Sequence, residues 1–388
     1  MVNTTTLTLS ANPSRHGHPW VAFSDLSGDL SGDLSGDLSG DLSEFVSAAT
    51  LFDASGHALG SGLYDPRDPH AAWRRFSHAE DVAFDAAYIA TAIQEALARR
   101  SDEHCQRLIS SDADYLPGLE VELFEDILTI SAKTAAVDAE MEAIVECLKE
   151  ACEPQEIVFL NDLPERAALG LECTTRTLSG QNLKARWVEV DGLAYRLDWL
   201  NSEKPRFFLD QREQHALVGS LCEGRTVLDG YAHSGAFALQ AARAGAEHVV
   251  AVDSSLPCIK AIGAQAQKNL CFVETVDADV AAFLAERRAG ELDAIILDPP
   301  KSDTFDVVAV EALHTSAFNC LPEGGLLATY CRSAATSAAA FETAVAQAAT
   351  AAGREARIFA RTAQPFDFPV LLNFPESRYL KGLILQVE

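Results

Sequence analysis

The sequence is short of positive charge. Its 30 Lys and Arg stand against 57 Asp and Glu, a formal net charge of −27 at pH 7. Such a surface repels phosphate over long range and gains nothing from counterion release, so a nucleic-acid partner must be met by locally concentrated cations. Long apolar runs are missing too, and none reaches the ~20 residues of a membrane span. The opening "MVNTTTLTLSANPSRHGHPW" has neither the basic start nor the apolar core of a secretory signal. No membrane partner and a cytoplasmic location are therefore expected. Nine cysteines include no C-x-x-C pair, which argues against a disulfide framework or a zinc centre, and no metal is expected. Two phosphate-cradling signatures are also absent: G-x-G-x-x-G, and the G-K-S or G-K-T of a P-loop.

What is present falls into three parts over 388 residues. Residues 1–80 carry short apolar or alternating runs, "HPWVAF" and "ATLFDASGHALGSGLYDPRDP", broken by Gly, Asp and Pro turns. This reads as a small β-rich domain. Within it, residues 25–44 repeat a four-residue DLSG unit that offers no apolar face at either period, as in an exposed expanded loop. Residues 81–200 mix a helical pattern (81–100), a strand-like run (119–132), a second helical pattern (139–152) and a strand (156–162). Residues 201–388 then alternate buried strands with helices over 236–244, 256–268, 279–288, 306–319 and 336–351. That rhythm predicts a doubly wound, mostly parallel sheet, an α/β fold whose ligands bind at the carboxyl ends of the strands.

Acids stand at those ends. Asp229 precedes the turn "GYAHSGAF", Asp253 closes the second strand, Asp279 opens the helix after the third, and Asp298 leads "PPK". Singly, each is an ordinary helix-capping residue. Together they suit a ligand with positive charge and no phosphate, and S-adenosylmethionine, with its sulfonium and ammonium groups, is the expected cofactor. Asp-Pro-Pro followed by an aromatic would suggest methylation of an exocyclic amine, but Lys301 occupies that place. The next strand ends in Cys331. A thiolate adding to C6 of a pyrimidine makes C5 nucleophilic toward a methyl donor, after which a base removes the C5 proton and the cysteine leaves C6. Cys331 and Asp298, at neighbouring strand ends, are the candidate catalytic pair, Asp298 holding the base.

The motifs "DADYLPGLEVE" (112–122), "FFLDQR" (207–212), "VLDGYAHSGAFAL", "VDSS", "ILDPPK" and "FPESRYLKGL" (374–383) occur in this order. With them the chain resembles the class I S-adenosylmethionine-dependent methyltransferases that make 5-methylcytosine in large-subunit ribosomal RNA and carry an N-terminal PUA domain. The resemblance implies a PUA-like domain over 1–80, a central α/β domain over 81–200 and a Rossmann-like methyltransferase domain over 201–388. It implies Asp253 with Ser254 on the ribose and Asp279 with Val280 at the adenine. The methionine portion would lie in the turn of Asp229, Tyr231, Ala232, Ser234 and Gly235, with Gln211, Arg212 and Asp298 beside the cofactor. Cys331 would be the nucleophile, RNA the partner, and a homodimer the assembly. The chain departs from the family at Tyr330 and Arg332, where Ser flanks the cysteine, at Lys204–Arg206, at Asp367–Pro369, and at Ala236. Most of these bear on the acceptor base rather than on the cofactor. For RNA contact, Arg74 and Arg75 beside Trp73 suit phosphate contact plus stacking, and Lys204 adds a further cation.

Overall fold

The computed structural model describes residues 5–10, 17–27, 47–68, 70–201, 206–302 and 304–388. All of the DLSG repeat beyond Ser27, and Lys204, lie outside the described residues. The chain forms two compact units, Met1–Asn182 with Asp367–Phe374, and Leu183–Phe366 with Pro375–Glu388.

The first unit holds two sheets. Strands β1 (Thr5–Leu9), β2 (Trp20–Val21), β3 (Leu26–Ser27), β4 (Ser47–Phe52), β5 (Ala58–Tyr64) and β6 (Trp73–Ser77) assemble in the order β2-β6-β5-β4-β1-β3. Only β1 and β4 run parallel. The β4–β5 turn is closed by Asp53, whose Oδ1 accepts the backbone N–H groups of Ser55 and His57. Leu7, Leu51 and Trp73 form the core of this sheet. A Cβ at Gly62 would stand 2.3 Å from the Trp73 ring, so glycine is what lets the indole lie flat on β5.

The second sheet runs β11-β10-β9-β8-β7, with β7 (Cys105–Ser110), β8 (Leu119–Phe124), β9 (Ile127–Ala132), β10 (Glu156–Leu160) and β11 (Thr175–Thr177). It is accompanied by helices α1 (Ala86–Ala98), α2 (Ala135–Ala139), α3 (Met141–Cys152) and α4 (Pro164–Ala168). Asp85 caps α1 by accepting from the N–H groups of Ala87 and Tyr88. The run read as one strand over 119–132 is a hairpin, because Glu125 turns left-handed at φ 57° between β8 and β9. Asp367–Phe374 joins this unit. Asp367 Oδ2 accepts from the Arg107 N–H at 2.7 Å, and the Arg107 guanidinium lies over Phe368.

The second unit opens with a hairpin, β12 (Arg186–Val190) and β13 (Leu193–Leu197), and α5 (Arg212–Ser220). Its main sheet comprises β14 (Thr226–Gly230), β15 (His248–Asp253), β16 (Glu274–Asp277), β17 (Ala294–Leu297), β18 (Leu326–Arg332), β19 (Ala356–Thr362) and β20 (Leu380–Val387). The connecting helices are α6 (Ala236–Arg243), α7 (Leu256–Lys268), α8 (Val280–Ala285), α9 (Val307–Cys320) and α10 (Ala338–Ala351). The order β16-β15-β14-β17-β18-β20-β19 reverses direction beside β14, the position where doubly wound sheets bind ligands. The first five strands are mutually parallel. β20 inserts antiparallel between β18 and β19, since only a single 3-10 turn and no α-helix lies between β19 and β20 to carry the chain back across the sheet. This is the doubly wound, mostly parallel α/β fold expected from the alternation.

Trp73 is 1% exposed and its Nε1–H donates to Ala49 O at 3.0 Å. It is core, and an aromatic surface for a base is not available there. Trp73→Ala is expected to lower stability by roughly 3–5 kcal/mol, as large aromatic deletions do. Urea unfolding measures this, and a loss under about 1 kcal/mol would show that the ring does not support its sheet.

Candidate active site

The carboxyl ends of β14, β15 and β17 bring Asp253 and Asp298 within electrostatic range of Asp229. β14 ends at Asp229 and Gly230, and Gly230 is required there. A Cβ would meet Val280 Cγ1 at 2.8 Å and Leu297 Cδ2 at 3.2 Å, so Val280, at the start of α8, and β17 both press on the turn. The backbone then passes through left-handed conformations at Tyr231 (φ 62°), His233 (φ 48°) and Gly235 (φ 74°). A Cβ on Gly235 would lie 2.8 Å from Ile262 Cγ1. The turn is pinned by Ala232 N–H to Val252 O, Gly235 N–H to Ala232 O, and Gln265 Nε2 to Ser234 O.

Each acid resolves its charge differently. Asp253 accepts the N–H of His233 on Oδ2 (2.9 Å) and that of Ser255 on Oδ1 (2.8 Å), so it braces both the β14 turn and the start of α7, next to the exposed Ser254. Asp279 caps α8 through the Ala282 N–H. Asp229 is buried, with Oδ2 accepting from the Ala238 N–H and Oδ1 accepting no hydrogen bond. Burial, helped by Asp298 and Asp253, pushes its carboxyl up to about 8. Burial also raises Asp298 to about 6, with Arg332 and the neighbouring Gln211 amide opposing the effect and Asp210 adding to it. Gln211 is fully buried and neither atom of its amide has a hydrogen-bond partner. Arg212, the next residue, is 5% exposed.

These features suit a cationic ligand. Carboxyl groups too crowded to ionise freely become comfortable beside positive charge, and unpartnered buried polar atoms call for an explanation. S-adenosylmethionine fits this edge, beside the turn that the close packing at Gly230 and Gly235 shapes.

Cys331 sits differently. Along β18 the side chains alternate between faces. Tyr330 packs with Ala232, Phe237 and Ile296 on one face, whereas Cys331 packs against Leu297, Leu327 and their neighbours on the other. Asp298 continues the Ala294–Ile296 face and interacts electrostatically with Tyr330 and Arg332. Cys331 and Asp298 thus share the sheet edge but occupy opposite faces, and the pair expected from sequence is not assembled. Burial raises the Cys331 thiol, with Lys381, Thr336 and Ser333 opposing. Lys381 is its direct cross-strand partner.

The side chain that does face Asp298 is Arg332, with Nε 3.8 Å from Asp298 Oδ1. Asp210, Phe208 and Tyr379 hold it, and none of these three was singled out as a site residue from sequence. The signal lay inside "FFLDQR" and "ESRYLKGL", motifs that contain all three. In the first unit, Arg74 is committed to Asp68 (2.6 Å) and lies over Trp20. Arg75 is 9% exposed. With Trp73 in the core, this stretch builds its sheet, which corrects the RNA-contact expectation for these three residues.

A profile described as "Conserved hypothetical protein 95" matches residues 211–359. A ribosomal RNA large subunit methyltransferase I from Photobacterium profundum is 31% identical over 357 residues, spanning 87% of this chain and 89% of the relative. One from Shewanella amazonensis is 32% identical over 315 residues, spanning 77% and 78%. The chain belongs to the ribosomal RNA large subunit methyltransferase I family. A structure from Streptococcus mutans assigned as a SAM-dependent methyltransferase superposes with a TM-score of 0.80 at 19% identity, over 99% of this chain and 100% of that one. A methyltransferase structure complexed with SAH gives the same TM-score at 18% identity. Both show the same overall fold as this chain.

Gly235→Ala is expected to cost about 1–3 kcal/mol through left-handed strain and the clash with Ile262. Thermal unfolding checks this, and an unchanged midpoint would mean that the turn adapts without strain.

Proposed function

We propose that this protein transfers a methyl group from S-adenosylmethionine to a base of large-subunit ribosomal RNA. The observation that carries the reading is the crowded carboxyl edge of Asp229, Asp253 and Asp298 at the switch point of the sheet. Family membership adds the substrate class. S-adenosylmethionine supplies an electrophilic methyl group. Asp253 would hold the ribose, with Asp279 and Val280 beside the adenine. Tyr231, Ala232, Ser234 and Gly235 would border the methionine part, with Gln211 and Arg212 alongside. The first unit, with its separate PUA-like β-sheet, would dock the RNA, and the target base would leave its stack to reach the edge. Among the described residues, no helix is long and apolar enough to cross a membrane.

Two acceptor atoms divide the finer reading. Cytosine C5 requires a thiolate that adds to C6, and Cys331, with Lys381 across the strand, is the thiol at the end of β18. A second reading is favoured by the opposite facing of Cys331 and Asp298. In it the acceptor is nucleophilic by itself, as a ring nitrogen is, and no covalent step occurs. Asp298, ionised above about pH 6, would hold or take the proton of such a base.

The geometry favours the second. Cys331→Ala is expected to keep turnover within about tenfold of wild type, whereas Asp298→Ala loses about 100-fold or more with S-adenosylmethionine affinity retained. Steady-state methyl transfer to undermodified large-subunit RNA checks both. Loss of turnover in Cys331→Ala, with a covalent adduct on Cys331 from 5-fluorocytosine-substituted RNA, would restore the C5 route.

A further inference from the structure

Arg332 closes β18 with a side chain only 10% exposed. Its Nη2 donates to Asp210 Oδ1 at 2.6 Å, and Asp210 Oδ2 accepts from Tyr379 OH at 2.8 Å. The guanidinium carbon lies 4.3 Å from the centroid of Phe208, a ring that also stacks on His233 at 4.6 Å and 22°. A buried guanidinium has five N–H groups to satisfy, and one carboxylate with one ring does not satisfy them all. Nε–H is buried and donates to no acceptor. It stands 3.8 Å from Asp298 Oδ1, a buried oxygen that accepts no hydrogen bond either. Gln211, fully buried and in the same loop as Asp210, brings its amide beside Asp298 without closing a well-formed hydrogen bond.

An unmatched donor beside an unmatched acceptor describes the complement of a planar ligand whose edge carries an acceptor next to a donor. Nucleobases have such edges. A phosphate does not, because it could take the Arg332 N–H only by standing against Asp298, Asp210 and Asp229.

We propose that Arg332 is a specificity-determining residue of the acceptor site, forming with Asp298 a donor–acceptor pair that reads the hydrogen-bonding edge of the base to be methylated. Arg332 Nε–H gives its hydrogen bond to a ring nitrogen or carbonyl of the base, and Asp298 accepts one from a base N–H. The inference rests on the function proposed above, with the base docking at Asp298. Asp210 fixes the guanidinium and is a positioning residue, since it acts through Arg332.

The charged and titratable groups facing Asp298 are Arg332 and Tyr330 from β18, Asp210 from the turn before α5, and Asp229 from β14. Removing the guanidinium leaves Asp298 among like charges, so it protonates at higher pH. Removing the charge of Asp210 has the opposite sign. A merely structural role for Arg332 gives no such pair of opposed shifts.

The test uses the full chain, undermodified large-subunit RNA and labelled S-adenosylmethionine, with kcat and KM for RNA followed through the acid and neutral range. Cofactor affinity is measured separately by calorimetry. Arg332→Gln is expected to raise KM for RNA about tenfold or more, the worth of a good base contact. It should also move the acid limb of kcat/KM upward and leave cofactor affinity within about twofold. Asp210→Asn moves the acid limb downward. Arg332→Lys keeps the charge without the planar fork, so KM rises while the acid limb stays. Unmoved KM and acid limb in a folded Arg332→Gln would overturn the inference. Should that variant fail to fold, an upward or absent shift in Asp210→Asn, or a wild-type KM in Arg332→Lys, overturns it. A wild type that binds S-adenosylmethionine yet methylates no ribosomal RNA refutes the underlying function, and the inference with it, before any variant is compared.

Discussion

Like charges meeting at one end of a sheet are the constraint on which the site depends. Parallel strands deliver their carboxyl ends together, so any acid that terminates a strand is brought to its neighbours' acids. Here Asp229, Asp253 and Asp298 converge, and the protein relieves their repulsion in three ways. Asp253 is stabilised by two backbone N–H groups from the loops it braces. Asp229 is driven toward its neutral form. Asp298 is eased by Arg332, which Asp210 and Tyr379 hold against the ring of Phe208. An edge relieved in this way still favours a cation, and that preference is the physical content of the cofactor assignment.

Much of this was legible in the sequence. Apolar runs such as "TVLDG" and "AIILD", spaced by helical segments, forecast the strands. The acids at their ends follow from counting, because a strand end is a fixed place in a doubly wound sheet. Gly230 and Gly235 announced a tight turn, though their reasons, contact with Val280 and Leu297 for one and with Ile262 for the other, belong to packing that no single segment displays. The antiparallel insertion of β20 was less visible, since strand order depends on the absence of a crossover helix rather than on any residue.

Two expectations failed for the same physical reason. Strand-end position fixes the edge on which a residue lies, but the alternation of faces depends on register by single residues. Cys331 and Arg332 are neighbours, and register turned the arginine toward Asp298 and the cysteine away. In β6 the same alternation sent Trp73 inward, and Asp68 claimed the charge of Arg74. Proximity in sequence suggested a cation–aromatic surface, where the structure has a core residue and an internal ion pair. Asp210 and Tyr379 were hidden for a different reason. They are far apart in sequence and acquire a role only by converging on Arg332.

The most direct test of the carboxyl-edge account is calorimetric titration of S-adenosylmethionine into the protein near neutral pH, in buffers of different ionisation heat. Asp229, held near 8, is mostly protonated there without ligand. A cation beside it favours the ionised form. The account therefore predicts proton release on binding, with affinity rising as pH increases and levelling off above about 8. Proton uptake, affinity independent of pH, or no binding at all would contradict it.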